Sequence, residues 1–194
     1  EQVELTSEYV LLCTGGLTAP NTGTDGTGYT FAQHFGHTLL EPMPAIVQLK
    51  LDYPYLKALS GVKFEGNAHI MAEGRILRSD FGEILFTDYG ISGPPILQLS
   101  REASLQFARG NEVTLSVDMM PERSEEEVVE FLDSHWWTFG HRTVADSFIG
   151  IINKKIIPVL MKEAGLEGKS YMLCQDLDWK TKQKFFQLMK RWEF

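Results

Sequence analysis

The order of hydrophobic and polar residues changes character twice along the chain. Residues 9–13 are apolar without interruption, which is typical of a strand buried on both faces of a parallel sheet. Between residues 45 and 118, apolar and polar positions alternate in short runs, as they do in half-exposed antiparallel strands. After Pro121 the apolar residues recur at helical spacing. The pattern therefore predicts a strand, then an antiparallel sheet, then helices.

Glycine and proline divide the alternating region into short strands. The runs that we expect to form strands are 45–51, 62–65, 68–71, 82–87 and 112–118. Several short strands separated in this way favour a small barrel or a sandwich. A helix is expected to begin at Pro94, because proline suits the first turn of a helix.

The last third of the chain carries three helix signals. Ser124 and Glu127 match the S/T-x-x-E capping box, which predicts a helix after Ser124. Residues 149–164 predict a second helix, interrupted at Pro158 and ended by Gly165. Asp178 is expected to cap a third helix over 179–192.

Composition narrows the class of protein. The 194 residues are 43% hydrophobic and 23% charged, as in ordinary folded proteins. A net charge of −8 argues against a nucleic-acid partner, and no apolar run reaches the length of a membrane helix. Cys13 and Cys174 lack metal-binding spacing, so we expect reduced thiols in a cytoplasmic protein. The missing initiator Met indicates either processing or a part of a longer protein.

A glycine-rich loop between the strand at 9–13 and a helix at 29–35 is the first candidate site. Glycine lets backbone amides approach a ligand, and a helix N-terminus favours an anion. However, Gly23-x-x-Gly26-x-Gly28 reverses the order of the dinucleotide fingerprint G-x-G-x-x-G, and no P-loop lysine follows. The loop is therefore either a nucleotide contact or an ordinary tight connection.

The segment 85–95 is the second candidate site. The hydroxyl groups of Thr87, Tyr89 and Ser92 could line a pocket as hydrogen-bonding groups. The alternative is a strand end, a turn and a helix N-cap at Ser92.

Other polar residues give weaker signals. The five histidines have no metal-ligand spacing, so we predict no metal site. His135, Trp136 and Trp137 are interpreted as an aromatic packing cluster. Ser92 and Ser147 lack the Gly-x-Ser-x-Gly setting of a hydrolase nucleophile, which leaves acyl transfer without support.

Taken together, the motifs resemble a bacterial flavoprotein family in order and spacing. The matching segments are Cys13-Thr14-Gly15-Gly16, Pro20-x-Thr22-Gly23, Gly26-x-Gly28-Tyr29, Gly36-His37, Pro44-Ala45 and Phe86-Thr87-x-Tyr89-Gly90-Ile91-Ser92-Gly93-Pro94. The family is that of the NAD(P)/FAD-dependent oxidoreductases, with aminoacetone oxidase-like and bile-acid-dehydroxylation-like members. The resemblance is densest over residues 9–95.

The resemblance implies an α+β fold in three parts. Residues 1–37 would be a partial Rossmann-like segment of the FAD-binding domain. Residues 38–121 would be the small antiparallel β-barrel of an insert domain, and residues 122–194 its helical subdomain. The resemblance thus makes the chain the central part of a longer enzyme, with the remainder of the FAD-binding domain as its partner.

The resemblance also implies the cofactor, FAD, and the residues beside it. The matching positions are Thr14, Gly15, Gly16, Pro20, Thr22, Gly23, Gly26 and Gly28. The sequence departs from the family at Ala19, where tyrosine is usual, and at Thr27, where aspartate is common. Because the G-x-G-x-x-G unit for the pyrophosphate does not occur here, we do not expect this chain alone to bind FAD tightly.

The implied function is flavin-mediated redox chemistry on a small molecule, with NADH or NADPH as candidate reductants. Thr87, Tyr89 and Ser92 would line the substrate space, and no residue is assigned as a catalytic acid, base or nucleophile, because the flavin carries the hydride. No nucleic-acid or membrane partner is expected. The alternative is a non-catalytic binding module on the barrel and helices, with Trp136 and Trp137 in an exposed aromatic patch.

Overall fold

The computed structural model describes residues 3–194, which fall into two compact units, residues 3–43 and residues Pro44–Phe194. The first unit contains a 3₁₀ turn, Pro20–Thr22, and helix α1, Thr27–His34. Gly36 follows the helix with a φ of +86°. The predicted helix and its glycine stop are therefore confirmed, because both signals are local in sequence.

The strand predicted at residues 9–13 is not formed. These residues lie outside any helix or strand, and Val10 and Leu11 are 86% and 88% exposed. A strand of a parallel sheet needs hydrogen-bonded neighbours on its edges. Within the described residues, no strand pairs with this segment, so its apolar pattern has nothing to bury against.

The second unit is built on a six-stranded antiparallel sheet. Its strands are β1 Leu49–Lys50, β2 Lys63–Ala72, β3 Arg75–Phe86, β4 Gly90–Ser92, β5 Thr114–Asp118 and β6 Trp192–Glu193. They lie in the order β1-β4-β3-β2-β5-β6. The two predicted strands at 62–65 and 68–71 are thus a single strand, β2.

A tight hairpin joins β2 to β3. Its two loop residues, Glu73 and Gly74, both have positive φ, which is the requirement of a type I′ turn. The register shifts between Ile70 and Met71, where β3 carries an extra residue. The first half of β3 escaped prediction because its charged residues break the apolar alternation.

In the described residues the sheet is open, and hydrogen bonds do not close it into the predicted barrel. The strands at its two ends, β1 and β6, are only two residues long. Aromatic rings lie between these ends instead. The ring of Tyr53, just after β1, lies edge-on to Phe194 at 4.9 Å and to Trp192 at 6.1 Å.

One long helix packs on the sheet. After the short helix α2, Leu56–Leu59, helix α3 covers Pro94–Ala108. It begins at the predicted proline and packs against β3 and β2. Ile96 and Leu99 are fully buried there, so α3 supplies the apolar layer that the sheet needs on its inner face.

The remaining helices form the C-terminal part of this unit. They are α4 Glu125–Thr138, α5 Val144–Ser147, α6 Ile157–Glu163 and α7 Trp179–Lys190, with a 3₁₀ turn at Cys174–Asp176. The capping box at Ser124 and the Asp178 cap are confirmed. The helix predicted over 149–164 begins only at Ile157, because Pro158 occupies the first turn, where its missing N–H costs nothing. None of the helices in residues 3–194 is long and apolar enough to cross a membrane.

Candidate functional site

The glycine loop of residues 14–28 folds back onto the first turn of α1. A Cβ atom on Gly16 would lie 2.7 Å from the Tyr29 hydroxyl, and one on Gly26 would lie 2.7 Å from Leu17 Cδ2. A Cβ on Gly28 would overlap the side chain of Thr14. These glycines therefore allow the loop and the helix to touch, which is the role of a tight connection.

The middle of the loop is organised around one carbonyl group. The Ala19 oxygen accepts hydrogen bonds from the Thr22 amide at 2.9 Å, the Thr22 hydroxyl at 2.7 Å and the Thr24 hydroxyl at 2.9 Å. Pro20 opens the 3₁₀ turn, and Gly23 ends it with a φ of +94°. Pro20, Thr22 and Gly23 thus set the shape of the loop.

The N-terminus of α1 already carries a negative charge. The Asp25 carboxylate accepts a hydrogen bond from the Thr27 amide at 3.0 Å and another from the Thr27 hydroxyl. Hydrogen bonding to Thr27 lowers the pKa of Asp25 below its usual value. A pyrophosphate placed here would meet a like charge, so this helix end does not fit that part of FAD.

The turn at the start of the loop fits a cofactor contact better than the N-terminus of α1 does. Thr14 and Gly15 are exposed, and Gly15, which has no side chain to cover its backbone, has a φ of +71°. All eight residues predicted to contact FAD belong to this one loop. Their contact with the cofactor stays a prediction.

The second candidate site is the hairpin between β3 and β4. The Thr87 amide donates to the Gly90 carbonyl at 2.9 Å, which closes a two-residue loop of Asp88 and Tyr89. Tyr89 is 47% exposed, and its hydroxyl donates to Gln48. Ser92 is buried at the end of β4, and Gly93 takes the N-cap position of α3, so the alternative of an N-cap at Ser92 is wrong.

The Thr87 hydroxyl finds no hydrogen-bond partner in the part of the chain that the structure describes. Its oxygen is buried and forms no hydrogen bond with any described residue. A buried hydroxyl without a partner costs about 1–3 kcal/mol, and such groups in native structures call for an explanation. Thr87 is the one predicted substrate residue whose surroundings indicate a missing partner.

Two glycines hold this hairpin in place by close approach. A Cβ on Gly90 would overlap the Leu49 carbonyl of β1, and one on Gly93 would overlap the Glu83 carbonyl of β3. The conspicuous glycines of the segment 86–94 are therefore explained by strand packing. Their close approach to β1 and β3 positions Thr87 and Ser92.

A cavity of about 550 Å³ opens elsewhere, between β1, β5 and the C-terminal half of α3. Thr87, Tyr89 and Ser92 are not among its lining residues. Tyr53 is one of them, and its hydroxyl donates to Glu163 at 2.8 Å. Burial, followed by this hydrogen bond, raises the pKa of Tyr53 strongly. No sequence pattern pointed to Tyr53, because its partner lies 110 residues away.

The aromatic segment 135–137 is divided between core and surface. Trp136 is 1% exposed and packs against Phe185 and Phe186. His135 lies 4.7 Å from the Phe139 ring and contacts the Ser147 carbonyl at 2.8 Å. Trp137 is 89% exposed. The packing interpretation is confirmed for His135 and Trp136, and Trp137 lies outside the cluster.

Comparison with known proteins identifies a family. Residues 43–194 match the HI0933-like protein barrel and H2TH domain. Over 157 residues, the chain is 35% identical to the 3-dehydro-bile acid delta(4,6)-reductase of Clostridium scindens, which is 80% of this chain and 38% of the reductase.

Two further relatives carry a different name. The ribosomal RNA dihydrouridine synthase of Haemophilus influenzae is 29% identical over 62% of this chain and 28% of that protein. The enzyme of the same name from Escherichia coli is 36% identical over 48% of this chain and 23% of that protein. The chain thus spans well under half the length of these relatives. The flavoprotein family that the motifs resemble is confirmed, and the chain belongs to the HI0933-like proteins, of which it contains the barrel and H2TH domain.

Proposed function

We propose that the full-length protein is a FAD-dependent oxidoreductase and that this chain is its central, substrate-covering part. The observation that carries the proposal is the family match over residues 43–194, preceded by the exposed turn at Thr14 and Gly15. The small share of each relative that the chain covers supports its being part of a longer enzyme.

The relatives' names support one class of reaction. A delta(4,6)-reductase of a 3-dehydro steroid removes ring double bonds conjugated to a ketone, and a dihydrouridine synthase saturates a uracil double bond conjugated to a carbonyl. We extend this class to the full-length protein. In this class of reaction, a conjugated carbon–carbon double bond gains a hydride on one carbon and a proton on the other. NADH or NADPH would then reduce the flavin again.

The chain's own residues would have two roles. Thr14, Gly15 and Gly16 would lie beside FAD, which supplies the hydride when bound. Thr87, Tyr89 and Ser92 would face the substrate, where a hydroxyl can donate to a carbonyl oxygen. The unpartnered Thr87 hydroxyl supports this role, because a substrate carbonyl would satisfy it.

Charge favours a small molecule over RNA as the substrate. The first 43 residues contain five Asp or Glu and no Lys or Arg. On α7 and just after it, Lys182, Lys190 and Arg191 each pair with a carboxylate, which leaves them less free to meet phosphates. RNA is nevertheless the substrate named for two relatives, so the experiment includes it.

The binding-module alternative loses its main support. It needed Trp136 and Trp137 together on the surface, and Trp136 is buried in the helical core. A single exposed tryptophan is an ordinary surface feature.

The test uses the full-length protein. Purified protein should be yellow and release FAD on denaturation, and its reduced flavin should be reoxidised under anaerobic conditions by a 3-oxo steroid with 4,6 double bonds. A saturated analogue of the same steroid serves as the control and should leave the flavin reduced. A colourless protein would refute the oxidoreductase proposal.

A second arm tests the substrate class. Ribosomal RNA from a strain that lacks the gene should contain as much dihydrouridine as that of the parent strain. Loss of a dihydrouridine on deletion, with restoration by the intact gene, would replace the small molecule with RNA and leave the flavin chemistry standing.

A further inference from the structure

Strand β3 has a long open edge. It pairs with β2 on one side over its whole length, but with β4 on the other side only through Leu85 and Phe86. In the part of the chain that the structure describes, no strand pairs with residues 75–81 from that side. Ile76 is 58% exposed, Leu77 41% and Phe81 56%. Open edges of this length, with apolar residues, invite pairing with another strand.

The hydrogen-bonding pattern shows which backbone amides of β3 face its open edge. The Thr87 amide bonds to Gly90 on the β4 side, and backbone direction alternates along a strand. The amides of Phe81 and Ser79 therefore face the same, open side. The Phe81 amide is bonded there by the neighbouring Asp80 side chain at 3.0 Å, because no strand supplies a carbonyl.

The sequence along the edge is complementary to itself. If two copies pair antiparallel about a two-fold axis at Ser79, then Arg78 of each copy lies opposite Asp80 of the other. Leu77 of each copy likewise lies opposite Phe81 of the other. The pairing thus places two opposite-charge pairs and two apolar pairs around one Ser79–Ser79 contact.

We propose that the protein forms a symmetric dimer by antiparallel pairing of residues 77–81 of β3 with the same residues of a second copy. A closed two-fold contact uses one patch twice, which is what a self-complementary strand provides. Beyond this register β3 pairs with β4 through Leu85 and Phe86, which ends the open edge on that side. Leu77 is itself the extra residue of β3 opposite Ile70 and Met71, so the strand is irregular from Leu77 toward Arg75 and pairing is limited to this short register. This dimer is independent of the proposed function.

Charge reversal tests the pairing. The wild-type full-length protein should sediment as a dimer in analytical ultracentrifugation. Arg78→Asp should weaken dimerisation about tenfold or more, because two like-charge pairs replace two opposite-charge pairs. The exchange variant Arg78→Asp with Asp80→Arg should restore the dimer, which separates a lost contact from a lost fold. A wild-type monomer at 100 µM, or an unchanged dimer in Arg78→Asp, would overturn the proposal.

A cysteine at the two-fold axis tests the register. Directly paired residues in such a ladder have Cα atoms ~5.5 Å apart, which a disulfide spans. Ser79→Cys, in a Cys13→Ser background, should therefore form a covalent dimer on mild oxidation. Glu83→Cys in the same background is the matched control, because its two copies would be about 27 Å apart and should not crosslink. Equal crosslinking of both variants would rule out this register.

Discussion

Lys190 and Asp118 form a nearly buried ion pair, with the Lys190 ammonium 2.6 Å from the Asp118 carboxylate. Their side chains are only 12% and 10% exposed. Lys190 also donates to the Met120 carbonyl at 3.0 Å and to the Arg123 carbonyl, and Asp118 accepts from the Met120 amide at 2.8 Å. This ion pair connects the C-terminal end of α7 to the C-terminal end of β5.

Removing one partner of this pair should destabilise the protein strongly. Lys190→Met would leave the Asp118 charge nearly buried and unpaired, which costs about 3–5 kcal/mol. Lys63→Met is the matched control, because Lys63 pairs with Glu83 where both side chains are more than half exposed. The control should cost less than about 1 kcal/mol. Urea unfolding curves followed by tryptophan fluorescence would measure both, and equal losses would contradict the importance of the buried pair.

The N-cap of α4 gives a local prediction. The Ser124 hydroxyl accepts from the Glu127 amide at 3.2 Å, and the Glu127 carboxylate accepts from the Ser124 amide at 2.7 Å. Ser124→Ala should reduce the free energy of unfolding by about 1 kcal/mol. Ser134→Ala, on the exposed side of the same helix, should be neutral or slightly stabilising, since alanine is the better helix former. A loss at Ser134 as large as that at Ser124 would argue against the cap.

Removing the Thr87 hydroxyl should affect protein stability and substrate binding differently. Thr87→Val removes a buried hydroxyl that has no hydrogen-bond partner within residues 3–194, so stability should be unchanged or rise by about 1 kcal/mol. If the hydroxyl binds substrate, the KM of the full-length enzyme should rise several-fold. Steady-state kinetics together with thermal unfolding would measure the two effects. A stability loss with unchanged KM would mean that Thr87 is structural.

Stability should fall below neutral pH in part because of His69. Burial lowers the pKa of His69 below its usual 6.5. The nearby Asp118 carboxylate acts in the opposite direction but has the smaller effect. As the pH falls, the unfolded chain therefore binds a proton at this histidine before the folded chain does. The stability that comes from keeping His69 neutral is fully present above about pH 6.5 and is lost as the pH falls through the lowered pKa.

His69→Gln should flatten this part of the pH profile. His141→Gln is the matched control, since His141 is exposed, and it should leave the profile as it is. Urea midpoints measured between pH 7.5 and pH 5 would show the difference. Parallel profiles for wild type and His69→Gln would refute the role of His69.

Local signals predicted local structure well. The capping box at Ser124, the Asp178 cap and the stop at Gly165 all act within a few residues, and the structure contains all three. The same holds for Pro94 at the start of α3. In each case the deciding interaction lies within one turn of helix.

Features that depend on distant partners were predicted less well. Strand β4 is three residues long and gave no periodic signal, yet it holds Ser92 beside Leu85. Trp192, the first residue of β6, was expected to end α7, and the pairing of β6 with β5 joins residues 75 and 77 positions apart. The apolar run at 9–13 had the right pattern for a strand but no partner in the described chain.

By itself the sequence determined the family, through motifs at fixed spacing, and the starts and stops of most helices. Only the tertiary structure decided that Gly90 and Gly93 serve strand packing, that the Thr87 hydroxyl has no hydrogen-bond partner among the described residues, and that no described strand pairs with residues 75–81 on the outer side of β3. The physical reason is that the spacing of residues along the sequence reflects interactions between residues that are close in sequence. Burial, pairing and the satisfaction of a hydroxyl depend on groups that only the folded chain brings together.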